Sequence, residues 1–292
     1  MSSSGSDESS QNIQLEGIVI YSKYNYYGIL KQIGSGAFSS VWLAVNLKTA
    51  QFCALKILSK ADSDSASKEI QAYTFLHKVK CPNLCDLYES FECVINQVPY
   101  IVLALELLTC SLADLLKYKY RTGLPSKIVL HITKQICETI AVFHKYNIIH
   151  TDLKPENIML CSKNNETNKN IIEKYKLVHF KQLYDKNFKN IFSWKNLDSN
   201  KISKLFKAIC ASLKFKSEQI SKSDNESMDE SDNANKIVIT ESSCDSTDTS
   251  VREEYDDIDL SNMITHIKIT DLGTIVTDKK TYNVQTRYYR AP

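Results

Sequence analysis

The chain has 292 residues, 43% of them hydrophobic and 10% aromatic, with 36 Lys and Arg against 34 Asp and Glu. That composition can bury one large core or two small ones, and a formal charge of +2 is too near zero to mark a nucleic-acid binder. Nine cysteines without a C-x-x-C or metal-finger spacing read as reduced thiols of an intracellular protein, and the polar, acidic start and the lack of an ~18-residue apolar run speak against a signal peptide or a membrane span.

Residues 1–18 are Ser-rich and charged, the composition of a disordered tail. From Tyr24 to Leu58, "GILKQIG", "SSVWLAV" and "FCALKIL" are short apolar runs separated by turn residues, so strands are expected. Residues 66–79 read as a helix directing Ile70, Tyr73, Phe75 and Leu76 to a core. "YIVLALELL" (100–108) is a buried strand. Residues 126–146 form an amphipathic helix with Ile128, Ile132, Ile136, Ile140 and Phe143 on one stripe. Strands, one helix, strands and then helices fit an α+β fold better than alternating βαβ units.

The composition changes after residue 160. Residues 161–216 hold 13 lysines and 4 acids, whereas 218–259 hold 14 acids and 3 basic residues with much Ser. The acidic part reads as disorder. The basic part contains "KISKLFKAICASLKFK" (201–216), where Ile202, Leu205, Phe206, Ile209 and Leu213 share one helical face. Strand pattern resumes with "HIKITDLG" after about 264.

Three motifs carry chemistry. In "IGSGAFSSV" (33–41), Gly34 and Gly36 have access to unusual backbone angles and let main-chain N–H groups approach phosphate oxygens. A tight hairpin has the same signature. The strand that follows argues against a dinucleotide fold, and no G-K-[ST] ending marks a P-loop. Lys56 stands in the apolar run "CALKIL", facing either water or a partner, for which Glu69 is the candidate. In "HTDLKPENI" (150–158), Asp152 supplies a carboxylate, Lys154 an ammonium and Asn157 a neutral oxygen suited to a hard cation. An isolated D-x-K-P-x-N also occurs as a helix-capping turn.

Taken together, "GSGAFSSVWLA", "ALKIL", "HTDLKPENI", "ITDLG" and "QTRYYRAP" stand in the order of a eukaryotic-type serine/threonine protein kinase. Thr151 within His-Thr-Asp, Leu272 within Asp-Leu-Gly, the F-S-S-V-W loop ending and the long spacer resemble the SR-protein kinases, which phosphorylate serines in Arg-Ser repeats. The resemblance covers about 20–160 and 264–292. It implies a bilobal fold: a small lobe at 19–108 made of an antiparallel sheet and one helix, the start of a helical lobe at 109–160, a spacer at 161–263, and a metal loop with activation segment at 264–292. The pattern of the family continues beyond "RAP" with further helices, so the chain reads as C-terminally truncated.

The resemblance also assigns roles. ATP and Mg²⁺ are the implied cofactors. Ile33, Gly34, Ser35, Gly36, Ala37, Phe38, Ser39, Ser40 and Val41 cover the phosphates, and Ala54 roofs the adenine. Lys56, aimed by Glu69, meets the α- and β-phosphates. Leu105 is the gatekeeper, Glu106 offers its carbonyl to the adenine and Leu108 its N–H. Asp152 orients the incoming hydroxyl, Lys154 neutralises the transferred group, and Asn157 and Asp271 hold the metal, with Gly273 giving the metal loop freedom to swing. Thr151 replaces an Arg that would await a phosphate, so the activation segment is expected to be ordered by its own packing. The implied partner is a protein substrate, Arg/Ser-rich in the SR-type reading; the basic helix at 201–216 itself reads as regulatory, docking on the kinase, on a regulatory partner or on an anionic membrane surface. The spacer has a plainer reading as a solvated linker, and the chain an alternative one as a catalytically silent ATP-binding scaffold.

Overall fold

The computed structural model describes residues 14–36, 39–161, 178–188, 198–223, 266–277 and 289. Its main layer is a six-stranded antiparallel sheet, β1 (Val19–Tyr21), β2 (Tyr26–Ser35), β3 (Ser39–Asn46), β4 (Gln51–Ser59), β5 (Leu87–Ile95) and β6 (Val98–Glu106), in the order β1-β2-β3-β4-β6-β5. β4 shows why these residues form a central strand. Cys53, Leu55 and Ile57 pack into one cluster, Ala54 and Leu58 into another, so both faces are covered and the run is apolar throughout. Lys56 is the exception on the second face. β5 and β6 are joined by Asn96 and Gln97, with φ of 49° and 68°, the paired left-handed conformation that a tight hairpin requires.

Helix α1 (Ser63–Lys78) crosses the face that carries Lys56. It buries Ala66, Glu69, Ala72, Tyr73 and Leu76. The expected stripe was wrong at Phe75, which is 39% exposed and meets Tyr146 edge-on at 5.1 Å. Alanines and a carboxylate take the inward positions because the site, and not only a core, lies beneath this helix. After β6 come α2 (Leu112–Tyr118), started by a reciprocal Ser111–Asp114 capping box, and α3 (Ser126–Lys145), which buries Ile132 and Phe143 as expected. A hairpin of β7 (Ile158–Cys161) and β8 (His266–Ile269) follows, with Cys161 opposite His266. The whole spacer leaves and returns at the tip of that hairpin.

One expectation about the ordered regions fails, and the spacer follows the second of its two readings, a helix docked on the rest of the chain. The tail does not extend to residue 18: Leu15 is 2% exposed, and Gly17 donates to the Ile29 carbonyl at 2.9 Å. Residues 1–13 lie outside the described part. The spacer is also more than a linker. It contains α4 (Val178–Asn187), which the sequence pattern did not reveal, and α5 (Ser199–Ser223). Tyr184, Phe188, Ile202, Phe206 and Ile209 are buried in the same cluster as Val19, Leu43, Val45 and Leu47 of the sheet. Burial at roughly 1.5–3 kcal/mol per large side chain outweighs the small loop-closure cost of a long excursion. The Leu213 side chain and the acidic stretch 224–259 lie outside the described part.

Candidate active site

The site forms where β4, α1, the 150–158 loop and the loop after β8 converge. Lys56 projects from β4 toward α1. Its Nζ lies 2.8 Å from both carboxylate oxygens of Glu69 and 2.8 Å from Oδ1 of Asp271. The Lys56 side chain is 11% exposed, that of Glu69 1% and that of Asp271 41%. Burial pulls the Lys56 amine toward neutrality, but the two carboxylates more than reverse this and hold its pKa above 10.5. Lys56 is therefore a fixed cation held between α1 and the loop after β8.

A second cluster comes from the 150–158 loop. Lys154 Nζ is 2.7 Å from Oδ2 of Asp152. Burial opposes the Lys154 charge, and the bond to Asp152 with the nearby carboxylates raises its pKa. Asn157 sits in a short 3-10 turn, Pro155–Asn157, where Pro presets the first backbone angle. Its Nδ2 donates to the Asp152 carbonyl at 2.9 Å and to the Asp152 carboxylate at 3.3 Å, which leaves the amide oxygen for a cation.

The two clusters are stitched together beside Asp271. Thr270 donates through its N–H (3.0 Å) and hydroxyl (3.2 Å) to the Asn157 carbonyl. His150 lies 3.2 Å from the Thr270 carbonyl through Nε2 and 3.4 Å from the Asp152 N–H through Nδ1. Those partners require Nε2 to carry the hydrogen and Nδ1 to accept. The ring is 4% exposed and stacks on Phe143, and burial lowers its pKa from 6.5. Asp152 and Asp271 are thus held on neighbouring loops.

Thr151 has a specific place. Its hydroxyl donates to the Thr274 carbonyl at 2.7 Å, the Thr274 hydroxyl donates to the His150 carbonyl at 3.3 Å, and Ile149 and Val276 form a two-bond bridge at 2.9 and 3.0 Å. Thr151 and Asp271 both take left-handed backbone, with φ of 68° and 61°. For β-branched Thr and for Asp this stores strain of about 1–3 kcal/mol each, held by the surrounding bonds. Residues 278–288 of the activation segment lie outside the described part.

The glycines work differently from the expectation. Neither Gly34 nor Gly36 has positive φ. Gly34 pairs with Val41 in the β2–β3 hairpin, and Gly36 donates to the Ser39 carbonyl at 2.7 Å. Gly273 likewise has no positive φ. A Cβ there would lie 3.2 Å from Ser65 Oγ and 3.3 Å from Glu69 Oε2, so its role is close approach to α1 and not swing. Ser65 donates to the Gly273 carbonyl at 3.1 Å, which ties helix to loop.

Ile33, Ser35, Ser39, Ser40 and Val41 all lie in the β2–β3 hairpin, and Ala37 and Phe38 fall outside the described residues. Ala54 pairs with Leu105, placing the proposed roof beside the proposed gatekeeper. Leu108 is buried, and the next residue, Thr109, donates to Leu160. The Glu106 carboxylate turns to Lys268 on β8, which also reaches Asp86 at 3.1 Å. Burial opposes the charge of Lys268, yet those two carboxylates raise its pKa. Sequence reasoning missed Lys268, Ser65, Thr270 and Thr274. Lys268 alone left a trace, as the polar residue in the alternation "HIKI".

The donor set fits magnesium. Asn157 and Asp271 offer a neutral oxygen and a carboxylate, the sparse protein ligation of a cation that takes the rest of its shell from phosphate and water. Among the described residues no group of three or more His, Cys, Asp or Glu could hold a metal by itself.

The sheet, the buried Lys56–Glu69 pair and the Asp152–Lys154–Asn157 loop beside Asp271 thus form one site. Residues 27–180, more than half of the chain, match the family model described as "Protein kinase domain". The chain belongs to that family. It is 32% identical over 170 residues to the putative serine/threonine-protein kinase L205 of Acanthamoeba polyphaga mimivirus, covering 54% of this chain and 30% of that one. It is 36% identical over 136 residues to a probable myosin light chain kinase of Dictyostelium discoideum, covering 46% of this chain and 41% of that one. It is 34% identical over 141 residues to the serine/threonine-protein kinase SRPK of Physarum polycephalum, covering 46% of this chain and 33% of that one. The chain spans less than half the length of each of these relatives.

Proposed function

We propose that this chain carries the nucleotide site of a serine/threonine protein kinase, which passes the γ-phosphoryl of Mg-ATP to a Ser or Thr hydroxyl of a protein substrate. The observation that carries the reading is the convergence of Lys56 on Glu69 and on Asp271, 215 residues further along the chain. A pair serving stability alone has no need of the second carboxylate. In this reading Lys56, aimed by Glu69, meets the phosphates under the β2–β3 hairpin. Asn157 and Asp271 hold magnesium, which when bound neutralises phosphate charge. Asp152 orients the hydroxyl and takes its proton, while Lys154 faces the transferred group. Leu105, Glu106 and Leu108 line the adenine edge with Ala54 above.

The finer assignment is an SR-type kinase acting on Arg/Ser-rich substrates. It draws on the Thr151 and Leu272 substitutions, on the spacer between β7 and β8, and on the similarity to the Physarum protein. The small lobe is assigned to 14–108, the start of the helical lobe to 109–161, the spacer to 162–263 and the metal loop with activation segment to 264–292. Exposed Lys201, Lys204 and Lys207 on α5 leave the spacer a surface for an acidic regulatory partner. No helix among the described residues is long and apolar enough to cross a membrane.

The test is Mg-ATP-dependent thermal stabilisation of the full chain, followed by phosphate transfer to an Arg-Ser repeat peptide and to a basic peptide without serine repeats. Stabilisation with transfer to the Arg-Ser peptide, lost in Asp152→Asn, is expected. Stabilisation without transfer leaves the silent scaffold, and no stabilisation by any nucleotide overturns the site.

A further inference from the structure

The spacer does more than pass between β7 and β8. Tyr184 of α4 donates its hydroxyl to the Leu47 carbonyl at 2.7 Å, in the turn between β3 and β4. Tyr21 of β1 donates to the Ser199 carbonyl at 3.0 Å and lies 2.5 Å from Ser203 Oγ, both at the start of α5. Phe206 is fully buried and lies against Gly28 of β2 so closely that a Cβ at Gly28 would overlap its ring. Gly28 does not have positive φ, so its lack of a side chain serves the ring and not the backbone. Ile202 and Ile209 flank Phe206 on the same buried stripe, while Lys201, Lys204 and Lys207 point to solvent. The apolar face of α5 is therefore committed to its own sheet.

What this contact holds is β2. That strand runs without interruption from Tyr26 past Gly28 to Gly34 and Ser35 at the phosphate hairpin. Two register irregularities, at Ile29/Lys31 and Gln32/Gly34, interrupt its pairing with β3 on the way. Bulges of this kind bend and twist a strand. Fixing the far end of a bent strand therefore fixes where its tip points. The six residues from Gly28 to Gly34 span about 20 Å at the usual strand rise, the distance over which the strand would carry the contact with α5 to the hairpin.

We propose that α4 and α5 form a wedge built into the small lobe, and that Phe206 seated on Gly28 is a positioning residue that sets the phosphate hairpin over the nucleotide. The proposal rests on the nucleotide site described under the proposed function. It deepens that site by assigning the spacer a role in nucleotide affinity within its own chain. A spacer that is only a tether would leave nucleotide affinity indifferent to Phe206.

The experiment uses the full chain and reads two quantities: hydrogen exchange in β1–β2 and the dissociation constant for Mg-ATP. Phe206→Ala is expected to speed exchange in Val19–Ser35 and to weaken Mg-ATP about tenfold. Gly28→Ala is expected to do the same by unseating the ring. The double variant Gly28→Ala, Phe206→Ala is expected to bind better than Gly28→Ala alone, because the added methyl then fills part of the vacated space. Lys201→Ala with Lys204→Ala and Lys207→Ala is the surface control, expected to match the wild type in both readouts. If Phe206→Ala fails to fold, Tyr184→Phe, which loses one bond to Leu47 and no volume, is expected to speed exchange at the β3–β4 turn. Unchanged exchange and unchanged affinity in Phe206→Ala, or no compensation in the double variant, overturns the wedge. If the wild type binds no nucleotide, the functional reading fails, and exchange in β1–β2 still decides whether the helix is docked.

Discussion

Replacing Lys56 with Met keeps the length of the side chain and removes its charge. The structure says which neighbour suffers. Asp271 is 41% exposed and is left largely to water, whereas Glu69 is 1% exposed and loses the cation that both its oxygens touch at 2.8 Å. Breaking a buried pair by removing one partner costs about 3–5 kcal/mol, because the remaining charge is stranded. Lys56→Met is therefore expected to lose about 3 kcal/mol in urea unfolding, with an unchanged denaturant slope. The loss depends on pH in a defined direction. Burial raises the Glu69 carboxyl above its ordinary 4.5, and without Lys56 only the Leu272 N–H still opposes that rise, while Asp271 adds to it. A raised folded pKa favours the fold below the unfolded value, and that advantage is lost as pH rises through the folded value. The deficit against wild type should accordingly be small near pH 4.5 and grow toward neutrality. Adding Glu69→Leu should recover most of the loss, since two apolar groups replace an ion pair at little cost. If Lys56→Met at pH 7 is within 0.5 kcal/mol of wild type on the scale of a surface change, the pair is not buried as described.

Three other outcomes can be checked. Because the His150 pKa is held below 6.5 by burial, the unfolded chain takes up a proton that the fold refuses. Stability should be complete above pH 6.5 and decline as pH falls toward the folded pKa, and the decline should flatten in His150→Gln, as read by melting temperature against pH. Gly273→Ala places a methyl 3.2–3.3 Å from Ser65 Oγ and Glu69 Oε2. It should cost about 1–2 kcal/mol and weaken Mg-ATP binding, and a neutral result would show that α1 yields freely there. Thr151→Val removes the hydroxyl that reaches Thr274 and should lower activity more than phosphatase treatment does. A large loss on dephosphorylation alone would refute self-ordering of this segment.

Much of the site was legible because the chemistry proposed for it restricts residue types. Asp152, Lys154 and Asn157 fall within six positions, and local chain geometry brings them together. Lys56 and Glu69 were legible because an ammonium in an apolar strand needs a partner and the next helix offers one. The glycine roles were misread, because the sequence cannot tell a left-handed backbone from a close neighbour. Gly28 and Gly273 both answer to side chains far along the chain, Phe206 and Glu69.

The amino-acid order by itself determined the strands from Tyr26 to Ser59, the two long helices and the identity of the charged groups, since periodicity and functional-group chemistry are local properties. Tertiary structure alone decided where Phe75 points, that Thr151 and Asp271 carry strained backbone, and that Lys268 reaches behind Glu106. It also decided the fate of the apolar stripe on α5, which a pattern of 3.6 residues per turn announces without naming its counterpart. That stripe meets β1 and β2 because Gly28 carries no Cβ where the Phe206 ring lies, and such complementarity exists only once the chain has closed upon itself.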